Sequence, residues 1–282
     1  MSDAINLKNI SKTYGGLNSE LWKRISQSHA KSILRGQMPQ TTVVALDGVC
    51  LSVPEGQIFG LLGVDGSGKS TLIRLLATLV QPDAGEAYVF GYDVVRQASK
   101  VQHLINRVSV EASFYRRLSA LDNLAEDARL LGLAGARLRQ HLEDTLLHLG
   151  LQSEDIYRPL EEACRTTLQV VSIARALISQ PRLLLLDEPT RGLPAHLASR
   201  VQEAILEMRA ALGTTVLFTT QDVAEITALA DSAAVMEKGR LIDQENSLAP
   251  RLVPLSGCPT NLADIFSQLK QLTALGAYEP VC

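Results

Sequence analysis

A glycine-rich segment followed by lysine and serine constrains this sequence more than any other feature. Residues 63–71 read GVDGSGKST, which satisfies the pattern G-x-x-x-x-G-K-[ST]. An apolar run at 58–62 precedes the segment, and a helical pattern over 69–80 begins inside it. A strand, a glycine-rich loop and a helix in this order form a unit that binds nucleoside triphosphates. The sequence therefore predicts an α/β nucleotide-binding fold.

Each residue type in this loop has a physical role in holding phosphate. The glycines lack a Cβ, so backbone N–H groups can turn toward phosphate oxygens, and the helix start adds partial positive charge. Lys69 is predicted to reach the β- and γ-phosphates, and Ser70 to bind Mg²⁺. The candidate nucleotide-binding residues are Gly63, Val64, Asp65, Gly66, Ser67, Gly68, Lys69, Ser70 and Thr71.

An acidic pair follows a later apolar run. Residues 183–190 read LLLLDEPT. A strand at 183–186 would deliver Asp187 to its carboxyl end, where the carboxylate can hold Mg²⁺ through water, opposite Ser70. Glu188 follows on the other side of the pleat and can orient or deprotonate an attacking water. Ser70 and Asp187 are therefore the candidate metal ligands, and Glu188 is a candidate catalytic residue.

The rest of the pattern alternates strands with helices, which is typical of a mostly parallel sheet with helices on its faces. Short strands are expected at 4–10, 43–53, 216–219 and 233–236. The segment 81–85, QPDAG, is interpreted as a turn that closes the first helix. Helices are expected at 197–212, 223–230 and 260–276, and the stretch 99–172 is expected to be helical.

Composition narrows the compartment and the partners. A formal net charge of −3 gives no attraction to nucleic acid, so no such partner is expected. The four cysteines form no CxxC pair, which favours a reduced, cytoplasmic protein. The N-terminus lacks the apolar region of a secretory signal, and no apolar run approaches the roughly 20 residues of a membrane helix. Any transport path would therefore need other polypeptides.

Both motifs resemble those of the ABC ATPases, and they are most similar to the ATP-binding subunits of export-type transporters. The resemblance covers nearly the whole chain. It rests further on ALDGV at 45–49, FGYD at 90–93, DNL at 122–124, ARAL at 174–177 and LADIF at 262–266.

The resemblance implies a P-loop NTPase, RecA-like, with a mostly parallel sheet core and an inserted helical subdomain. It implies one domain over 1–282, with ATP and Mg²⁺ as cofactors and Tyr14 stacked on adenine. Two such subunits, as a homo- or heterodimer, would sandwich two ATPs beneath a membrane-spanning subunit, at the inner face of the membrane. The expected division is a core lobe at 1–95 and 173–245, a helical lobe at 96–172 and a C-terminal helix at 260–276.

Several positions depart from the family pattern. The signature LSGGQ falls on ACRTT at 163–167, and Gln221 replaces the switch histidine. Glutamine can orient water, so Gln221 is the second candidate catalytic residue, but it carries no positive charge. Pro194 occupies the position of the family's loop aspartate, Glu111 that of the glutamine before the helical lobe, and Asp65 that of the usual asparagine. The binding half is thus expected to be kept and the hydrolytic half to be weakened.

Three functions fit these residues. The first is an ABC subunit that binds and hydrolyses MgATP to drive export. The second is an impaired regulatory subunit that binds ATP and pairs with a competent partner. The third is an unrelated P-loop enzyme such as a kinase or GTPase, which fits less well because no N-K-x-D guanine-reading segment is present and the Asp187-Glu188 pair suits attack by water better.

Two further segments leave alternatives open. Residues 111–117, EASFYRR, place Phe114 and Tyr115 beside two arginines, so this segment either grips a helix of a membrane partner or packs its aromatics within the lobe. The insertion at 16–40 is either a short amphipathic helix that touches a membrane or partner, or a solvated surface excursion.

Overall fold

The computed structural model describes residues 2–15, 42–108, 113–133, 137–242 and 253–254. Its strands are β1 Asp3–Tyr14, β2 Val43–Pro54, β3 Ile58–Leu62, β4 Ala84–Val89, β5 Tyr92–Asp93, β6 Ile105–Val108, β7 Leu183–Asp187, β8 Thr215–Thr220, β9 Ser232–Glu237, β10 Arg240–Ile242 and β11 Val253–Pro254. Its helices are α1 Lys69–Leu76, α2 Ala98–Gln102, α3 Ala120–Leu130, α4 Leu138–His148, α5 Ser153–Tyr157, α6 Arg165–Ile178, α7 Ala195–Leu212 and α8 Val223–Leu229.

A seven-stranded sheet forms the centre of the fold. Its order is β10-β9-β3-β8-β7-β6, and β11 also pairs with β9. The pairs among β9, β3, β8, β7 and β6 are parallel, whereas β10 and β11 run antiparallel to β9. Because parallel strands end at one edge of a sheet, the loops after β3, β7 and β8 meet there.

Apolar layers cover both faces of this sheet. All residues of β3 and β8 are buried, as parallel strands require. In β7, Leu183 and Leu185 belong to one apolar cluster, and Leu184 and Leu186 belong to the other. The unbroken leucine run therefore reflects a strand buried on both sides, and each such leucine stabilises the fold by about 1.5–3 kcal/mol.

A smaller antiparallel sheet, β2-β1-β4-β5, shares the apolar cluster on one face of the central sheet with α1. A hydrogen bond from Asp47 N to Gly239 O (2.8 Å) ties β2 to the turn between β9 and β10. This contact places β2 next to the loop that follows β3, because the same turn bonds to that loop.

Helices α3, α4, α5 and α6 lie between β6 and β7 in the chain and pack around one apolar cluster. Buried Asn123 fixes the entry to α3: its Oδ1 accepts from Tyr115 N (2.9 Å), and its Nδ2 donates to Ser119 O (2.9 Å). A buried amide with its hydrogen bonds made defines a unique path for the chain at this point.

The expected alternation of strands and helices around a mostly parallel sheet is confirmed. The strands expected at 183–186, 216–219 and 233–236 and the helix expected at 197–212 are present with slightly wider bounds, and the helix expected at 223–230 ends one residue earlier, at Leu229. The first two strands are longer than expected, at 12 residues each, because they pair along most of their length.

Three local predictions were wrong. The stretch 99–172 is not uniformly helical, because Ile105–Val108 forms the parallel strand β6, which is too short to show a period. The first helix ends at Leu76 rather than 80. The segment 81–85 is not only a turn, since β4 begins at Ala84. Gly85 is needed there because a Cβ would lie 2.3 Å from Asn9 O of β1.

Some predictions fall outside the described residues. They are the insertion at 16–40, Glu111 and the C-terminal helix at 260–276. Within the described ranges, no helix is both long and apolar enough to cross a membrane.

Candidate functional site

The loop between β3 and α1 is held in place by its neighbours at the carboxyl edge of the central sheet. Gly63 N donates to Thr220 O (3.1 Å), and Gly239 N donates to Ser67 O (2.8 Å). Gly68 has φ +110°, and a Cβ there would come 2.3 Å from Ala45 O of β2. Gly66 also has a positive φ of +76°, but a Cβ added there would meet no described atom within 4 Å. The shape of the loop therefore depends on Gly68 for space and on Gly66 for conformation only.

Replacing these two glycines separates the two requirements. We expect Gly66→Ala to lower the free energy of unfolding by about 1–2 kcal/mol, the cost of a left-handed residue with a Cβ. Gly68→Ala should cost about 1–3 kcal/mol more, because the methyl group also clashes with backbone of β2. Denaturant unfolding of both variants measures the difference, and equal losses would contradict the close approach.

Lys69 is the first residue of α1 and is only 4% exposed. Its Nζ donates to Gly63 O (2.6 Å) and Val64 O (3.0 Å), and lies 3.5 Å from Glu188 Oε1. Burial lowers the pKa of Lys69 below its ordinary value, and the Glu188 carboxylate opposes that shift. The loop thus curls around an ammonium at the start of a helix.

Ser70 and Asp187 meet as the two motifs predict. Ser70 Oγ donates to Asp187 Oδ1 (3.1 Å), and Thr219 Oγ1 donates to the same oxygen (2.9 Å). A hydroxyl and a carboxylate are the hard oxygen ligands that suit Mg²⁺ when water and phosphate fill the remaining positions. The side chains present therefore fit a magnesium site.

Phosphate also fits the loop. An added Cβ at Gly66 would meet no described atom within 4 Å, so the loop is open there, and α1 begins at its end. Ser67 Oγ is buried and has no hydrogen-bond partner among the described residues. A buried hydroxyl without a partner is costly, and a polar ligand offers it one.

Glu188 and Gln221 lie together over the loop. Gln221 Nε2 donates to Asp65 Oδ1 (2.6 Å) and to Glu188 Oε1 (3.2 Å). Glu188 has a positive φ of 51°, and its N–H is held by Thr219 O at 3.1 Å. A non-glycine residue in this conformation is strained and persists only where the surroundings fix it, which is common at functional sites.

Arg191 joins the same cluster, although sequence reasoning missed it. Its Nη1 donates to Glu188 Oε2 (2.6 Å) and Asp65 Oδ1 (3.0 Å), and its Nη2 donates to Asp65 Oδ2 (3.1 Å). The Arg191 guanidinium holds the pKa of Asp65 below its ordinary value. Glu188 and Arg191 are three residues apart, so their pairing could have been predicted from the sequence. The pairing of Arg191 with Asp65 could not, because the two residues are far apart in the chain.

These groups border a cavity of about 340 Å³. It is lined by Asp65, Ser70, Arg165, Gln169, Asp187, Glu188 and Arg191. Its lining contains both acidic and basic side chains, so a ligand with both a cation and anionic oxygens matches it.

Glu225 supports the segment that carries Glu188 and Arg191. It is buried, and Thr190 Oγ1 donates to its Oε1 (2.7 Å). Burial raises the pKa of Glu225 above its ordinary value. This contact fixes the chain just after β7.

Tyr14 ends β1 and pairs with Val43, two residues before Ala45, whose carbonyl abuts Gly68. The ring is partly exposed, with Lys12 Nζ 5.7 Å from its centroid. Tyr14 therefore lies at the same end of the β1–β2 pair as the loop. Its contact with a base stays a prediction.

The segment at 163–167 forms the start of α6. Cys164 is the residue before the helix, and its Sγ lies 3.3 Å from Thr167 Oγ1. Pro194 precedes α7 in the same way. Arg165 is exposed and lines the cavity described above.

The described part of the segment at 111–117 divides its two aromatics. Phe114 is half-buried beneath the Arg175 guanidinium, which lies 4.4 Å from the ring centroid. Tyr115 is 61% exposed. One aromatic therefore packs within the helical region, and the other is accessible to a partner.

Comparison with known proteins identifies the same family that the motifs resemble. A family profile described as ABC transporter matches residues 46–191. The daunorubicin/doxorubicin resistance ATP-binding protein DrrA of Streptomyces peucetius is 40% identical over 199 residues, 70% of this chain and 59% of DrrA. The methionine import ATP-binding protein MetN of Symbiobacterium thermophilum is 34% identical over 206 residues, 72% of this chain and 62% of MetN. The chain thus spans about three fifths of the length of these relatives.

A solved structure supports the fold. The ATP-binding cassette MJ0796, in a dimeric post-hydrolysis state bound to ADP and Pi, has a TM-score of 0.68 at 22% identity. The match covers 85% of this chain and 97% of that one. The expected α/β fold of P-loop NTPases is therefore confirmed.

Proposed function

The chain belongs to the ABC transporter family as an ATP-binding subunit, and on this premise we propose that it binds MgATP and hydrolyses it to power export through a separate membrane subunit. The observation that carries the proposal is the buried ammonium of Lys69, enclosed by Gly63 O and Val64 O beside the Ser70–Asp187 pair. A triphosphate with its cation matches this arrangement in charge and in donor type.

The proposed nucleotide contacts follow the predicted loop. Residues 63–71 hold the phosphates, Ser70 and Asp187 hold Mg²⁺, and Tyr14 stacks on adenine. When bound, Mg²⁺ neutralises charge on the phosphates and so lowers the barrier to attack on them. The contact of Ser70 with Asp187 supports this assignment, because both oxygens can face one cation.

Hydrolysis is assigned to Glu188 with Gln221. Glu188 Oε1 lies 3.5 Å from Lys69 Nζ, so the carboxylate faces the place that the end of the triphosphate takes. We propose that Glu188 accepts a proton from the attacking water and that Gln221, bonded to the same oxygen, orients that water. Gln221 brings no positive charge, so slow turnover is expected.

Export is proposed because DrrA, named for drug resistance, has the higher identity of the two relatives, at 40%. MetN, named for methionine import, keeps the opposite direction open. We propose a second ABC subunit and a membrane-spanning subunit as partners, with the chain at the inner face of the membrane. Exposed Tyr115 is the proposed contact with the membrane subunit.

We also propose the division into a core lobe at 1–95 and 173–245 and a helical lobe at 96–172. Its support is the placement of α3, α4, α5 and α6 between β6 and β7, around a shared apolar cluster.

An impaired regulatory subunit is the second candidate. The observation that favours it is the start of α6, where ACRTT presents Cys164 and Thr166 in place of the family's serine and glycine. In a heterodimer, the loop of this chain would face the competent signature of its partner.

Phosphate release by the purified chain separates the two candidates. We expect slow release that requires Mg²⁺ from the unmodified chain. Gln221→His combined with LSGGQ at 163–167 should raise the rate by about tenfold or more, because it restores a cation and open helix amides near the γ-phosphate. Nucleotide affinity, measured by calorimetry, should change little.

The contrasting result would be firm ATP binding without any release from the unmodified chain, with turnover only in the restored variant. That result would replace the hydrolytic proposal with the regulatory one. A matched control is Gln140→His, since Gln140 lies on α4 away from the loop and pairs with Asp144.

A further inference from the structure

The three hydrogen bonds of Arg191 connect two motifs that are far apart in the sequence. The guanidinium binds both oxygens of Asp65 in the glycine-rich loop, at 3.0 and 3.1 Å, and Glu188 Oε2 at 2.6 Å. Bidentate pairing of this kind is the strong geometry for arginine and carboxylate. The Arg191 side chain is nonetheless 60% exposed, so these bonds rather than burial hold it in place.

The position of the guanidinium relates directly to the predicted phosphate site. Lys69 lies against Oε1 of Glu188, at 3.5 Å, and Arg191 lies against Oε2. The Glu188 carboxylate therefore lies between the Arg191 guanidinium and the Lys69 ammonium, which is predicted to reach the end of a triphosphate. The guanidinium and this carboxylate line the cavity of about 340 Å³, together with Ser70 and Asp187.

Charge balance indicates what a nucleotide would do here. The terminal phosphate would enter beside Asp65 and Glu188, and two carboxylates repel it. Arg191 and Lys69 together balance the charges of Asp65 and Glu188 while no phosphate is present. A dianionic phosphate is a stronger partner for a guanidinium than one carboxylate is, and it accepts the same two-pronged hydrogen bonding.

We propose that Arg191 binds the γ-phosphate of ATP. Before the nucleotide binds, the Asp65 carboxylate holds the Arg191 guanidinium. On binding, the guanidinium exchanges Asp65 for the phosphate oxygens. ATP therefore gains a contact that ADP lacks, and Asp65 sets how readily the arginine is released. This proposal rests on the proposed function, since it requires the triphosphate in the 63–71 loop.

A purely structural arginine makes a different prediction. If Arg191 only cancels the charge of Asp65 and Glu188, or only ties the loop to β7, its removal matters solely while those acids are present. If it binds phosphate, its removal still weakens ATP binding after both acids are made neutral, and does so more strongly, because Asp65 no longer competes for the guanidinium. The background Asp65→Asn with Glu188→Gln therefore separates the two roles, because the shapes are kept and the charges are lost.

The experiment measures equilibrium binding of MgATP and MgADP by calorimetry in that background, with and without Arg191→Ala. We expect Arg191→Ala to weaken ATP binding by about tenfold and ADP binding by less than about twofold, because a charge-assisted contact to the last phosphate is lost. Adding Asp65→Asn to the Glu188→Gln chain, with Arg191 kept, should strengthen ATP binding, because Asp65 no longer competes with the phosphate for the guanidinium.

Unchanged ATP binding on Arg191→Ala in the neutral background would overturn the proposal, and so would equal losses for ATP and ADP. Arg200→Ala is the matched control, because Arg200 is an exposed arginine on α7 whose ion pair within the described residues is with Glu203, at 3.7 Å. Thermal unfolding confirms that each variant is folded. If Lys69→Ala abolishes binding but Arg191→Ala has no effect, the proposed function stands and this inference falls. If the unmodified chain binds no MgATP, both fall.

Discussion

Lys69→Ala is expected to weaken MgATP binding by at least about a hundredfold, because two charge-assisted contacts to phosphate are lost at about 1.5–3 kcal/mol each. The structure adds a second cause. Without the ammonium, Gly63 O and Val64 O lose their donor, and Glu188 loses one of its two cationic neighbours, keeping only Arg191. The remaining carboxylates would then repel the triphosphate. Calorimetric titration with MgATP measures the loss.

The matched control is Lys8→Ala. Lys8 lies on β1, is exposed, and pairs only loosely with Glu86, at 3.9 Å. The Lys8→Ala chain should bind MgATP as the unmodified chain does. Undiminished affinity of the Lys69→Ala chain would count directly against the phosphate role of the loop.

The elements that carry the site were predictable because their sequence pattern has a local cause. The apolar run of β3 and the leucines of β7 are buried on both faces, so they stand out as unbroken runs. The carboxyl ends of parallel strands meet at one edge, so Ser70 and Asp187 had to approach each other, and they do at 3.1 Å.

The parts that sequence missed depend on distant contacts. The bond from Arg191 to Asp65 joins residues 126 positions apart, and no periodicity encodes such a pairing. Strand β6 has four residues and becomes a strand only by pairing with β7. Gly85 lies in a segment with the composition of a turn, but glycine is needed there because β4 closely approaches Asn9 of β1. Tertiary packing decides all three cases.

Two positions at which the sequence is expected to depart from the family pattern are physically connected. Asp65 and Gln221 are bonded to each other at 2.6 Å. Arg191 completes the group through Asp65 and Glu188. These residues therefore belong to one hydrogen-bond network, and the effect of changing one of them is expected to depend on the others.

Glu188→Gln is expected to reduce phosphate release by at least about a hundredfold while keeping ATP binding, because general base catalysis typically contributes roughly 10²–10⁴-fold. Glutamine keeps the shape of the side chain, and its Oε1 can still accept from Arg191 or Gln221, so the loop after β7 stays in place. The lost negative charge removes repulsion from the end of the triphosphate, so ATP affinity should stay equal or rise. Single-turnover phosphate release and calorimetry on the same preparation measure the two effects.

The matched control for this change is Glu203→Gln, since Glu203 is an exposed carboxylate on α7 whose ion pair within the described residues is with Arg200. Release at the parental rate by Glu188→Gln would remove Glu188 from the chemistry. Loss of ATP binding together with release would instead make Glu188 a structural partner of Lys69. Loss of phosphate release with ATP binding kept would show that the Glu188 carboxylate acts on the attacking water. ATP binding would then depend on the Lys69 ammonium and the 63–71 loop, and turnover would depend on Glu188.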